Sequence, residues 1–230
     1  MPMPASAGVH ATTVTDRSEL APGIILLGLH APHLASVTLP GQFLLAIPPR
    51  GELAATALGI YEAQDERVSL MLVICGPRTR ELSELQPGAS LDVLAPLGNG
   101  FDLETELNDV AIVAGGVGIA SVLLAARALR RRNVRVRLYY GARTKAALVD
   151  ADRFEREGCE LRLATDDGSA GFAGFVTELL ASDGDPPQMI LACGPTPMLR
   201  AVQRFAKATG IRAQLSLEET FACGVGACWG

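Results

Sequence analysis

The chain has 230 residues, 49% of them apolar and 20% charged, with a formal charge of −5. That is a globular composition, long enough for one large core or two small ones and far from that of a disordered chain. The acid excess argues against a basic face for nucleic acid, and five scattered cysteines argue against a secreted disulfide framework. The first twenty residues carry no basic-then-apolar leader. The longest uncharged apolar run, residues 110–126, is interrupted by Gly115, Gly116 and Gly118. A cytoplasmic chain with no membrane span is therefore expected.

Up to about residue 101 the sequence reads as short strands, at 23–29, 43–47, 67–75 and 91–94. Breakers separate them: PGQF (40–43), PPRG (48–51), QPG (86–88) and PLGNG (96–100). Frequent turns between short strands predict a small antiparallel barrel or sandwich, with a single helical turn at 80–85. After Phe101 the rhythm becomes strand then helix. Strands are predicted at 110–114, 134–140, 161–165, 188–193 and 211–217, and helices at 118–131, 144–157, 174–181 and 196–209. This alternation predicts a parallel sheet covered on both faces. The fold class is thus an N-terminal antiparallel barrel followed by an α/β domain.

The first strand of the second half runs into AIVAGGVGIAS (111–121). Glycines between a strand and a helix permit a tight turn and let a phosphate approach the helix-terminal N–H groups. The spacing G-G-x-G is shorter than the full dinucleotide fingerprint. The acid that would grip an adenosine ribose at the end of the second strand is absent, because that strand ends YYGAR (139–143). A nucleotide loop and a merely compact turn both fit. The third strand ends ATDDGSAGFAG (164–174), where Asp166 and Asp167 suit either metal or acid–base work, or the capping of a polar turn; the turn is the simpler account. The fourth ends ACGPTPML (192–199), which puts Cys193, Gly194 and Pro195 at the sheet's carboxyl edge, where open α/β sheets bind ligands. All three histidines (His10, His30, His33) precede the second half. Cys193 therefore has no histidine of that half to activate it, and reads as a packing residue.

Near the end, Cys223 and Cys228 are spaced C-x4-C among glycines. The plant-type [2Fe–2S] pattern begins with that interval and continues with C-x2-C and a distant fourth ligand. A tail, a local disulfide or half of a shared zinc site fit the same two residues.

Taken together, PGQF, LSELQPGASLDVLAPLGNGF (82–101), the GGVG turn, YYGART (139–144), TDDGSAGFAGFVTELL (165–180), CGPTPML (193–199) and SLEETFACGVGAC (216–228) resemble a known family. It comprises the electron-transfer subunits of bacterial dihydroorotate dehydrogenase, iron–sulfur flavoproteins of the ferredoxin-reductase superfamily. The resemblance implies a flavin-binding barrel over 1–101, a nicotinamide-nucleotide domain over 102–215 and a cluster-binding tail beginning at 216–230. It also implies FAD, NAD(P) and a [2Fe–2S] cluster as cofactors. The implied partner is a catalytic subunit carrying FMN, in a hetero-oligomer serving pyrimidine biosynthesis. Gly115, Gly116, Gly118, Cys193, Gly194 and Pro195 match the nucleotide side, and Cys223 and Cys228 the first cluster ligands. Two of four thiolates do not complete the set, so the expectation is that this polypeptide alone does not hold a whole cluster and that a longer parent does.

On the flavin side the sequence departs from the family. An Arg-Pro-x-Ser segment that holds flavin and phosphate falls on Thr56, Ala57, Leu58 and Gly59. A Tyr-Arg-Val triplet falls on Met71, Leu72 and Val73, and a Gly-Thr pair on Arg78 and Thr79. Arg78 returns one positive charge. Two lost charge-assisted contacts weaken phosphate binding by roughly 1.5–3 kcal/mol each. Three readings follow: the electron-transfer subunit itself, a related ferredoxin–NADP reductase or sulfide dehydrogenase subunit, and a flavin-free binding or scaffolding subunit on the same fold.

Overall fold

A computed structural model describes residues 7–49 and 54–217. The chain forms two compact units that divide between Gly100 and Phe101. Among the described residues no helix is long and apolar enough to cross a membrane.

In the first unit, β1 (Gly8–Ala21), β2 (Ile24–His30), β3 (Phe43–Ile47), β4 (Thr56–Gln64), β5 (Arg67–Val73) and β6 (Ser90–Leu97) close into an antiparallel barrel of order β1-β2-β5-β4-β3-β6. Strand β1 pairs β6 through its first half and β2 through its second, and so removes the open edges. Ile25, Leu27, Leu29, Leu44, Ile60, Leu70 and Val93 are fully buried in this unit. The sequence pattern reveals four of these strands and misses β1 and β4. The reason is visible in β1: along fourteen residues only Thr12 and Val14 are buried, so no apolar alternation marks it. Helices α1 (Pro32–Val37) and α2 (Pro77–Ser83) each open with proline in the first turn, where the missing N–H costs nothing. The second begins three residues earlier than the pattern predicts.

The second unit carries β7 (Asp109–Gly115), α3 (Leu123–Arg131), β8 (Arg135–Ala142), α4 (Ala151–Arg156), β9 (Glu160–Thr165), β10 (Phe172–Ala173), α5 (Val176–Ser182), β11 (Met189–Cys193), α6 (Thr196–Thr209) and β12 (Arg212–Ser216). The sheet is parallel with order β10-β9-β8-β7-β11-β12. Helices α5 and α6 pack on the face built by Ala111, Val113, Tyr139, Ile190 and Ala192. The alternate residues Ile112, Leu138 and Leu191 are equally buried, so both faces of the sheet are covered.

Two predicted helices are shorter than their patterns. Residues 116–121 form a 3₁₀ segment and α3 starts only at Leu123, because glycine in the first turn leaves the backbone free to tighten. Between residues 144 and 157 the α-helix covers only Ala151–Arg156, after Asp150 at φ 52°.

Candidate functional site

Strand order reverses direction between β7 and β11: the chain progresses outward through β8 and β9 on one side and through β12 on the other. At such a switch point the loops leaving the two central strands part, and ligands of open α/β sheets bind in the crevice at their carboxyl ends. Gly115, Gly116 and Gly118 leave β7 here, and Cys193, Gly194 and Pro195 leave β11. Cys193 pairs with Ala114 in the sheet register.

The two loops touch backbone to backbone. A Cβ on Gly118 would lie 2.3 Å from the Cys193 carbonyl oxygen and 2.8 Å from the Gly194 nitrogen. Gly194, at φ 157°, would place a Cβ 2.9 Å from the Gly115 nitrogen. No side chain fits either position without moving main chain. Gly116, at φ 53°, has open space where a side chain would stand. Cys193 is 1% exposed, so it contributes its carbonyl to this contact and not an accessible thiol. Pro195 is the residue before α6, whose unpaired first-turn N–H groups lie at the same edge. Met198, which the sequence did not single out, packs its thioether within 2.7 Å of ideal Cβ positions on both Gly115 and Gly194.

One strand outward, the turn after β9 is tied to the end of β8. Asp166 N donates to Ala142 O at 3.1 Å and Asp167 N to Arg143 O at 3.2 Å. Thr165 Oγ1 donates to Ala170 O and accepts from Ala170 N, and Lys145 N donates to Ser169 Oγ. Asp167 Oδ1 accepts from Ser169 Oγ at 2.6 Å and Ser169 N at 3.0 Å. These bonds, the hydroxyl first, hold the Asp167 carboxyl below the ordinary carboxylate range. Asp167 is therefore a turn-capping residue. Asp166 is exposed and its carboxylate makes no hydrogen bond or ion pair among the described residues.

The opposite, amino edge of the sheet holds a charge network that the sequence reading missed. Arg137 is fully buried on β8; it donates to Asp109 Oδ2 at 2.6 Å and to Asp185 O at 2.6 Å. Tyr139 donates to Asp183, and Arg135 binds Glu160 and Asp185. Burial first, then the bond to Asp183, pushes the Tyr139 hydroxyl up to about 12, while the same bond holds the Asp183 carboxyl low. The only signal in sequence was an alternation, RVRLYY, that puts an arginine at a position the strand buries.

In the barrel, Thr56, Ala57, Leu58 and Gly59 lie at the start of β4, and Met71, Leu72 and Val73 at the end of its neighbour β5. Met71 and Leu72 are buried and serve the barrel core. Arg78 is exposed and donates from Nη1 to the carbonyl of Ala55, the residue before Thr56, at 3.4 Å. Among the described residues the buried Thr56 Oγ1 has no hydrogen-bond partner, an orphaned polar atom at the start of β4. Thr79 is committed differently: its hydroxyl accepts from Cys75 N and Gly76 N and donates to Gly76 O, closing the first turn of α2. One exposed cation, Arg78, beside an orphaned hydroxyl at the start of β4 fits a flavin phosphate, with fewer charged contacts than the family pattern has. Cys223 and Cys228 lie outside the described residues.

Residues 112–204 match the family model described as the oxidoreductase NAD-binding domain. The chain is 35% identical over 193 residues to the electron transfer subunit of dihydroorotate dehydrogenase B (NAD(+)) from Clostridium acetobutylicum, covering 82% of this chain and 75% of that protein. It is 33% identical to the protein of that name from Listeria monocytogenes, covering 94% and 85%. The corresponding subunit from Geobacillus kaustophilus is 43% identical over 157 residues, 67% of this chain and 60% of that one. Among solved structures, that of the NADH-dependent reduced ferredoxin–NADP oxidoreductase aligns with TM-score 0.84 at 27% identity, over 96% of this chain and 81% of that one. Phthalate dioxygenase reductase shares the fold, with TM-score 0.72 at 20% identity over 90% and 68%.

Proposed function

The chain belongs to the family of dihydroorotate dehydrogenase B electron transfer subunits, and from that premise we propose that it carries electrons between NAD and a partner dihydroorotate dehydrogenase catalytic subunit in pyrimidine biosynthesis. It is an oxidoreductase subunit and works with nicotinamide and flavin-type cofactors. The observation that carries the reading is the backbone contact of Gly118 on Cys193 at the switch point of the sheet, within the matched NAD-binding domain.

Gly116, with open space at its Cβ position, leaves main chain bare for the dinucleotide pyrophosphate, while Gly115 and Gly118 let the turn close on Cys193, Gly194 and Pro195. The first-turn N–H groups of α6 add partial positive charge at the same edge. Hydride exchange needs no protein base, which agrees with a carboxyl edge that offers glycines and a capped turn where an acid–base pair would otherwise stand. On the barrel, the Arg78 guanidinium would neutralise a flavin phosphate beside Thr56, and Ala57, Leu58 and Gly59 would face it without charge. A flavin held there would supply the hydride chemistry that nicotinamide needs and the one-electron chemistry that an iron–sulfur centre needs. Cys223 and Cys228, at the C-x4-C interval, supply two of that centre's thiolates, in a chain that acts in the cytoplasm.

The test is an absorbance spectrum with flavin and iron quantitation on the natively expressed gene product, followed by NADH-dependent dye reduction. Stoichiometric flavin and dye reduction are expected. No flavin uptake, even after reconstitution with FAD, overturns the electron-transfer reading. The replacement of the family's Arg and Ser by Thr56 and Gly59 favours one second reading, a flavin-free subunit on the same fold. Normal nucleotide and partner binding with no flavin would establish it.

A further inference from the structure

We infer that Asp166 selects the dinucleotide at its adenosine ribose, accepting the free 2′-hydroxyl of NAD(H) and rejecting the 2′-phosphate of NADP(H). The inference rests on the nucleotide reading above and deepens it. In dinucleotide-binding α/β sheets an acid beyond the second strand of the unit takes the ribose hydroxyls. Here the second strand, β8, ends Gly141-Ala142-Arg143 with no acid. The sheet supplies one from the next strand. β9 is parallel to β8, with Thr165 paired to Ala142, and the turn that follows is hydrogen-bonded through Asp166 N to the Ala142 carbonyl. Asp166 therefore stands at the height where β8 ends.

The rest of the turn is spent on holding it there. Thr165 closes on Ala170, Asp167 on Ser169, and Ser169 on Lys145. Asp166 alone keeps an exposed carboxylate without a partner among the described residues. A carboxylate accepts hydrogen bonds from a vicinal diol and repels a phosphate carrying about −1.5 to −2 charges at the same place. Arg143 and Lys145, exposed just beyond β8, attract phosphate of either dinucleotide. They do not distinguish the two riboses in favour of the hydroxyl; the carboxylate does. Its removal leaves those cations unopposed, so the variant should gain more on the phosphorylated form than it loses on the other.

The full chain is titrated with NADH, NADPH, ADP-ribose and 2′-phospho-ADP-ribose, in the wild type and in Asp166→Asn and Asp166→Ser. The wild type should prefer the unphosphorylated ligands by at least about tenfold, and the preference should narrow as salt rises and screens the repulsion. In both variants the ratio should fall by a further factor of at least about ten, mainly through tighter binding of the phosphorylated ligands. An unchanged ratio in variants that bind NADH overturns the assignment alone, as does a wild type that prefers the phosphorylated forms. If either variant fails to fold, the wild-type ratio and its salt dependence decide: a ratio near one, or one that salt does not narrow, overturns it. Failure of the wild type to bind any of the four ligands overturns the nucleotide reading, and the assignment with it.

Discussion

The two edges of the parallel sheet are built by opposite means. At the carboxyl edge, β7 and β11 end in glycines, and main chain meets main chain through positions where no Cβ fits. At the amino edge of the same sheet, Arg137 of β8 is fully buried among Asp109, Asp183, Asp185 and Tyr139. One edge is made by removing side chains and the other by packing charged ones. A surface that must admit a large anionic ligand is best left as bare backbone with unspent N–H groups. An edge with no ligand to admit can lock strand ends with a satisfied network. The comparison assigns binding to the first and stability to the second, and each assignment can be broken separately.

The largest effect is expected from Arg137→Met. Among the described residues it leaves the Asp109 carboxylate with Arg135 alone, at 3.8 Å, and breaking a buried pair on one side costs about 3–5 kcal/mol. Urea unfolding should show that loss, and Asp109→Leu added to it should restore part of the stability. Nucleotide affinity of the folded protein should not change. If it falls, the two edges are coupled and the division of labour is wrong.

Gly118→Ala is the converse. Its Cβ would stand 2.3 Å from the Cys193 carbonyl oxygen, so the two loops must separate, at roughly 1–3 kcal/mol of overpacking strain. Nucleotide affinity should drop by more than tenfold, on the order of 1.4 kcal/mol, measured by titration with NADH. A variant that loses stability while binding NADH normally would remove the switch-point loops from the site.

Tyr139 sharpens the amino edge through pH. Its hydroxyl is raised to about 12 from 10.0, so the native state holds the phenol proton more tightly than the unfolded chain. The stabilisation is fully present below pH 10 and is lost as pH rises through about 12. Tyr140, raised to about 12 chiefly by burial, acts in the same window. Asp183 runs the other way: held low by the Tyr139 hydroxyl, it stabilises above the unfolded carboxylate range and ceases to do so as pH falls through its native value. Tyr139→Phe should therefore flatten both limbs of the stability profile, leaving an alkaline slope from Tyr140. Thermal unfolding from pH 3 to 11.5 reads both. A profile unchanged at acid pH would mean that the Tyr139–Asp183 bond contributes nothing.

The sequence made the two edges unequally legible. Glycine has few reasons to occur three times in four residues between a strand and a helix, so Gly115, Gly116 and Gly118 stood out, and Cys193–Pro195 followed from the next central strand. The amino-edge network was invisible, because an arginine in RVRLYY reads as a solvent-facing residue unless the sheet is known to cover both its faces. In the barrel, β1 and β4 were missed because closure and pairing, and not apolar alternation, hold them in place. Helix boundaries slipped where glycine or a left-handed Asp150 intervened. Asp166 and Asp167 looked alike as a pair; only the hydrogen bonds show that one is spent and the other is not.

The smallest expected effect tests whether that turn is organised to serve the carboxyl edge or only itself. Ser169 links three pieces: its hydroxyl donates to Asp167 Oδ1 and accepts from Lys145 N, and its own N–H donates to Asp167 as well. Ser169→Ala removes two exposed hydrogen bonds and leaves the third. Because water replaces exposed partners, stability should fall by no more than about 1 kcal/mol. The Asp167 carboxyl, which owes its low value first to that hydroxyl, should move up toward the ordinary range, readable by NMR titration. NADH affinity should weaken by a few-fold at most, since Thr165 and the bonds to Ala142 and Arg143 still fix the backbone. A loss as large as that of Gly118→Ala would mean that the turn touches the ligand through Ser169 itself. The binding surface would then extend past Asp166 to Ser169, further along the turn after β9 than bare backbone and a single carboxylate require.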